Sequence, residues 1–122
     1  MSAASVNPKR GEIWWVELEP VRGSEQAKKR PIVVISHANY GRPTVRLGVP
    51  IMEHKTVHAL GAWYVVIEPD ADNGLGKTSS ADASQVRALD VVRFDNRIGK
   101  VAPAQLSAIV AGVKMGIEDA EL

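Results

Sequence analysis

The chain has 122 residues, 45% of them hydrophobic and 24% charged, with a formal net charge of +1 at pH 7. That length holds one core rather than two, and the composition excludes a wholly disordered chain. The absence of cysteine excludes a disulfide framework or thiolate metal site, and three scattered histidines (His37, His54, His58) make a poor ligand set, so neither metal nor cofactor is expected.

Residues 1–9 lack the apolar core of a signal peptide and carry no helical or strand period, and Asn7-Pro8 breaks regular structure. They read as a flexible lead. No segment approaches the ~18 apolar residues of a membrane span, so a cytoplasmic protein without a membrane partner is expected. The domain then runs over residues 10–117. Residues 12–18 (EIWWVEL) predict a strand with two partly buried faces, Trp14, Val16 and Leu18 on one and Ile13 and Trp15 on the other. Residues 20–29 read as a loop, and Pro31 opens the apolar run 32–35, a central strand. After a turn at 39–43, residues 44–49 alternate, with Val45, Leu47 and Val49 inward and Arg46 outward.

Residues 53–61 are polar and end in glycine, which predicts a loop, and 62–68 predict another strand. Residues 70–78 (DADNGLGKT) carry strong turn chemistry; the run 74–78 lacks the full spacing of a phosphate-binding loop and no helix follows it. Short strands are expected at 83–89, 91–94 and 98–101. Leu106, Ile109, Val110, Val113 and Ile117 fall at i, i+3, i+4, i+7 and i+11, which predicts one amphipathic helix with Pro103 in its first turn. Ala102 is a poor N-cap, Gly112 weakens the interior, and Gly116 is placed to supply a left-handed C-terminal residue. Residues 118–122 form an acidic tail. Several short strands and one terminal helix describe a mainly β (α+β) small barrel.

The chemistry concentrates in residues 10–36, RGEIWWVELEPVRGSEQAKKRPIVVIS. Arg30, anchored beside a strand, is placed to hold a phosphate bidentately, and Lys28 and Lys29 add unspecific attraction. Glu25 sits at the other end of the same short loop, where it either flanks a substrate with Arg30 or forms with it a surface ion pair worth under ~1 kcal/mol. A charge so near zero will not gather nucleic acid by its overall field, so any case for nucleic-acid binding must rest on such local clusters.

A strand, then Gly23-Ser24-Glu25-Gln26, a short gap, Arg30-Pro31 and an apolar strand resembles the signature of the MazF/PemK toxins of bacterial toxin–antitoxin pairs. The likeness continues through Val49-Pro50, residues 83–87 (ASQVR) and the helix after Pro103, and covers roughly residues 9–117. It implies an SH3-like barrel with a helix, a homodimer, a cognate antitoxin that blocks the groove, and metal-independent, sequence-selective cleavage of single-stranded RNA. It also places the catalytic arginine on Arg30 and RNA contacts on Ser24, Glu25 and Gln85. Lys55, in the 53–61 loop, is a further candidate for RNA contact on its charge alone.

One position departs from the pattern: Met52 stands where the family has a catalytic threonine, and a thioether neither donates nor accepts usefully. Glu53 is expected to take over proton transfer, with Glu25, Thr56 and His54 as alternatives. Two other readings stay open, a catalytically impaired member that binds RNA or antitoxin, and a gyrase-poison-type toxin of the same barrel.

Overall fold

The computed structural model describes residues 6–18 and 29–118. Among them the order is β1 (Glu12–Glu17), β2 (Lys29–Val34), β3 (Val45–Glu53), β4 (Tyr64–Ile67), β5 (Ser79–Asp82), β6 (Arg87–Asp90), β7 (Phe94–Lys100) and α1 (Pro103–Ile117). Short 3₁₀ turns lie at Thr56–Leu60, Ala83–Gln85 and Val91–Arg93. All pairings are antiparallel, in the order β4-β5-β3-β2-β1-β7 with β6 beside the first half of β3. The expected mainly β, SH3-like barrel with a C-terminal helix is the observed architecture. No described helix is long and apolar enough to cross a membrane.

Alternation along β1 sends side chains into two separate clusters. Ile13 joins Val33, Val49, Ile51, Ile67 and Ile109 beneath the helix, while Trp14 and Val16 join Ile32, Val34, Leu89 and Phe94 on the other face. Full burial of each such side chain stabilises by about 1.5–3 kcal/mol. The Trp14 ring meets Phe94 edge-on at 6.0 Å, and its Nε1–H donates to Glu12 Oε1 at 3.0 Å. Ile13 is wholly buried within its own chain, whereas Trp15 remains 38% exposed.

Several sequence expectations need correction. β3 does not stop at Val49: it continues through Pro50, Ile51 and Met52 to Glu53. Pro50 is tolerated because it falls between two partners, β6 pairing as far as Gly48 and β5 beginning at Ile51. Arg46 is not simply outward, since its guanidinium reaches the carbonyls of Pro8 and Pro43 and the Asn7 side chain. With Pro8 buried and Val6 packed on the Trp14 cluster, residues 6–8 belong with the barrel rather than with a loose lead.

The segment 79–82 (SSAD), which has little β propensity, is a fully buried strand, whereas 83–85 and 91–93 are 3₁₀ turns, not strands. Its polar side chains are satisfied: Ser79 Oγ donates to the Lys77 carbonyl, and Asp82 Oδ1 accepts from the Ser84 amide and hydroxyl. In α1, Gln105 Oε1 accepts from the Ala102 N–H at 3.0 Å, supplying half of the cap that alanine lacks. Gly112 is required by packing, since a Cβ there would sit 2.9 Å from that of Ala83. Gly116 lies inside the helix, which ends at Glu118 with extended backbone, and Ile117 is exposed.

Candidate active site

The site arises where two paired strands part. β2 and β3 are registered from Val34 opposite Gly48 to Ile32 opposite Pro50. Beyond that point β2 stays with β1, Arg30 opposite Val16, while β3 turns to β5, Met52 opposite Ser80 and Glu53 opposite Ser79. The parting leaves a cavity of about 370 Å³ whose lining includes Arg30, Met52, Glu53, Trp15, Leu75 and Lys77. Continuing the register two residues sets Arg30 and Met52 against each other across it.

The far wall is the turn over residues 70–78. Asp70 Oδ1 accepts from the amides of Asp72 and Asn73, and the buried Asn73 donates to the Glu68 carbonyl while accepting from the Leu75 amide. Gly74 takes a φ of +68°, which a side chain would resist. The turn rests on β7, where the Lys100 amide donates to the Asp72 carbonyl at 2.9 Å and the backbone at Gly99 leaves no room for a Cβ. This turn carries Lys77 into the cavity, the cation that sequence reasoning set aside with the incomplete phosphate-loop pattern.

Charge around the cavity is partly paired. Lys77 Nζ lies 3.4 Å from Glu53 Oε2, and Lys29 Nζ lies 2.8 Å from Asp95 Oδ2. The hydrogen bond and charge of Asp95 hold the Lys29 ammonium pKa above its ordinary range. Arg30 is exposed, and none of the ion pairs among the described residues involves it. A guanidinium facing a partly apolar cavity is suited to a planar, bidentate oxyanion.

Of the residues singled out in the sequence, the structure brings Arg30, Glu53 and Lys29 to this cavity together with Met52. Lys55 and Gln85 are exposed and do not line it. Ser24, Glu25 and Lys28 lie outside the described residues. Trp14 is core, whereas Trp15 stands on the cavity rim. Among the described residues no group of three histidines or carboxylates is arranged to hold a metal. The sequence offered His54 and Thr56 as alternatives to Glu53, and neither lines the cavity; it passed over the groups that hold His54, since Ser80, opposite Met52, contacts Nδ1 of His54 at 2.7 Å and Nδ1 of His58 at 3.0 Å. The signal was there in the period-2 spacing of Met52 and His54, but β5 had to be recognised first.

Comparison with known proteins gives one consistent family. Residues 9–115 match the family described as PemK-like, MazF-like toxin of type II toxin-antitoxin system. The chain is 32% identical over 113 residues to endoribonuclease MazF9 of Mycobacterium tuberculosis, covering 90% of this chain and 96% of that protein. It is 31% identical over 109 residues to the endoribonuclease toxin MazF of Escherichia coli, covering 88% and 92%. A MazE-MazF crystal structure from Deinococcus radiodurans superposes with a TM-score of 0.73 at 19% identity, over 94% of this chain and 99% of that one.

Proposed function

The chain belongs to the PemK-like, MazF-like toxin family of type II toxin–antitoxin systems, and we propose that its Arg30 cavity is where it cleaves single-stranded RNA. It is an endoribonuclease, as its curated relatives are, and the toxin partner of a cognate antitoxin. The observation that carries the site assignment is the shared cavity of Arg30, Met52 and Glu53 at the parting of β2 and β3.

The reaction that fits these groups is attack of a ribose 2′-hydroxyl on its own phosphate. It needs an anion stabiliser and a proton acceptor, and in this scheme no metal. Arg30 neutralises charge building on the phosphoryl oxygens, the contribution usually largest in such steps. DNA resists because it lacks the nucleophile. Lys29 and Lys77 add phosphate attraction on either side, with Lys55, Lys28, Ser24 and Gln85 as contacts along a longer strand. Two nearby groups can accept the proton, the Glu53 carboxylate and the His54 imidazole behind Met52; Glu25 is a third from the loop preceding β2. The working unit is a cytoplasmic homodimer, with the half-exposed Trp15 and Trp63 as apolar surface for a second chain or for the antitoxin.

The test is direct. Purified protein is incubated with long RNA in EDTA and the 5′ ends are mapped. Discrete 5′-hydroxyl ends at a recurring sequence are expected. Binding without new ends would favour an impaired, RNA-binding member, and inhibition of purified gyrase without RNA cleavage would favour the topoisomerase-poison class.

A further inference from the structure

Met52 has lost the hydroxyl of its family position, yet its cross-strand neighbour carries one. Ser80 lies opposite Met52 on one side and Val66 on the other, so Ser80 and Met52 are neighbours in one cross-strand row that ends at the cavity shared by Met52 and Arg30. Met52 and Ser80 are on paired strands about 5 Å apart, and Arg30 lies beyond Met52 on the other side of the cavity. Ser80 is fully buried, and its Oγ is held by two imidazoles.

The direction of these hydrogen bonds follows from one backbone amide. Lys55 N–H donates to His58 Nδ1 at 3.2 Å, so that nitrogen carries a lone pair rather than a proton. With the 3.0 Å contact also taken as a hydrogen bond, Ser80 Oγ–H donates to that nitrogen and shares its one lone pair with the amide. In that arrangement the Ser80 oxygen is left as acceptor, and His54 Nδ1, 2.7 Å away, donates to it. In neutral His54 the free lone pair is on Nε2. His58 is locked in turn, buried and stacked on the Tyr64 ring with centroids 4.3 Å apart at 17°, while His54 meets its edge at 5.7 Å and is only half-buried.

We infer that His54 is the group that takes the proton of the attacking 2′-hydroxyl, with Ser80 and His58 as positioning residues that fix its tautomer. A base whose second nitrogen is oriented by a hydrogen-bonded partner is the arrangement that proton transfer from a hydroxyl requires. In the step, the 2′-oxygen bonds to phosphorus as its proton passes to His54 Nε2. The bond from phosphorus to the 5′-oxygen breaks, and that oxygen keeps the electron pair and takes a proton from water. Arg30 faces the phosphoryl oxygens throughout, and the imidazolium returns its proton to solvent. The ionisable side chains nearest the imidazole are Glu53 and Lys55 on its own segment, His58 on the following turn and Tyr64 of β4; Arg30 and Lys77 line the neighbouring cavity, to which Met52 and Glu53 connect His54.

The inference rests on the ribonuclease reading, and the experiment separates the two. Cleavage of a short RNA is measured for wild type, His54→Ala, His54→Gln and Ser80→Ala at matched thermal stability, with and without added imidazole, and the His54 tautomer is read by nitrogen-15 NMR. A loss of about 10²–10⁴-fold in kcat for both His54 variants is expected, with KM little changed and partial rescue of the alanine variant by imidazole. Wild type should show a protonated Nδ1, and Ser80→Ala should mix the tautomers and lower kcat. Wild-type cleavage left within about threefold by the His54 variants, or lost only in Glu53→Gln, would overturn the assignment while leaving the nuclease intact. A wild type that cuts no RNA would remove both.

Discussion

Lys29 Nζ donates a 2.8 Å hydrogen bond to Asp95 Oδ2, joining the first residue of β2 to β7 across 66 positions of sequence. The pair stands beside Arg30 and divides the labour of the two cations: Lys29 is held by a carboxylate, and Arg30 is presented to the cavity. Asp95 raises the Lys29 pKa above 10.5, so the stability this pair contributes is present in full below that value and is lost as pH climbs through the higher folded-state pKa. Asp95→Asn should bring Lys29 back toward its ordinary range in an NMR titration and remove the pair's small contribution to stability, which is fully present at neutral pH. A Lys29 titration unmoved by the substitution would show that the pair does not form in solution.

The same division predicts unequal effects on RNA. Arg30→Ala should lower cleavage by about 10²–10³-fold, the scale of a removed oxyanion donor. Its exposed side chain should leave stability within about 0.5 kcal/mol. Arg30→Lys should recover only part, lacking the planar fork. Lys29→Ala should weaken RNA binding at low salt and flatten the logarithmic salt dependence by no more than about 0.7. Full cleavage by Arg30→Ala would remove the arginine from the site.

Periodicity made much of the barrel legible, and the failures share a cause. β1, β2 and the helix are apolar enough for their period to show, and each lies where the sequence places it. β5 is a strand because β3 and β4 flank it, not because Ser79, Ser80 and Asp82 favour extended backbone, so its existence is a tertiary fact. Missing β5 cut β3 short at Val49, and with it went the row that joins Met52 to Ser80. Arg30 was readable from its motif. His54 was readable only as an alternative to Glu53, and its partners Ser80 and His58, like Lys77, were not, because chain folding alone brings residues 30, 52, 54, 77 and 80 to one end of the sheet.

The wall that carries Lys77 depends on a backbone contact rather than on side chains. A Cβ at Gly99 would collide with the Asp72 carbonyl and the Asn73 backbone, neither of which can rotate away. Gly99→Ala should therefore destabilise by about 1–3 kcal/mol, read as a shifted denaturant midpoint. The turn is displaced with it, so RNA affinity should fall as well. Gly41→Ala supplies the comparison: Gly41 has a φ of +74° but open space around it, so only backbone strain is added and the cavity is untouched. Equal losses of RNA affinity in the two variants would show that the docked turn does not shape the site.

Met52→Thr tests whether the proton relay has moved. The position is half-buried, so exchanging the thioether for a threonine costs roughly 1 kcal/mol of packing, partly offset by the fit of a β-branched residue to a strand. The new hydroxyl would lie beside Ser80 on the cavity that Arg30 also lines, the position at which the sequence resemblance implies a threonine. If His54 carries the proton, Met52→Thr should change the wild-type rate by less than about tenfold, because an efficient base is already in place. On a His54→Gln background the same substitution should raise the rate by a larger factor, since the hydroxyl then has a vacancy to fill. The signature is non-additivity between two residues on one strand face, expected at about 0.5–3 kcal/mol in a double-mutant cycle. A large gain from Met52→Thr in wild type would mean that the ancestral chemistry is broken rather than replaced. Strict additivity across the cycle would mean that the two positions act in separate parts of the site.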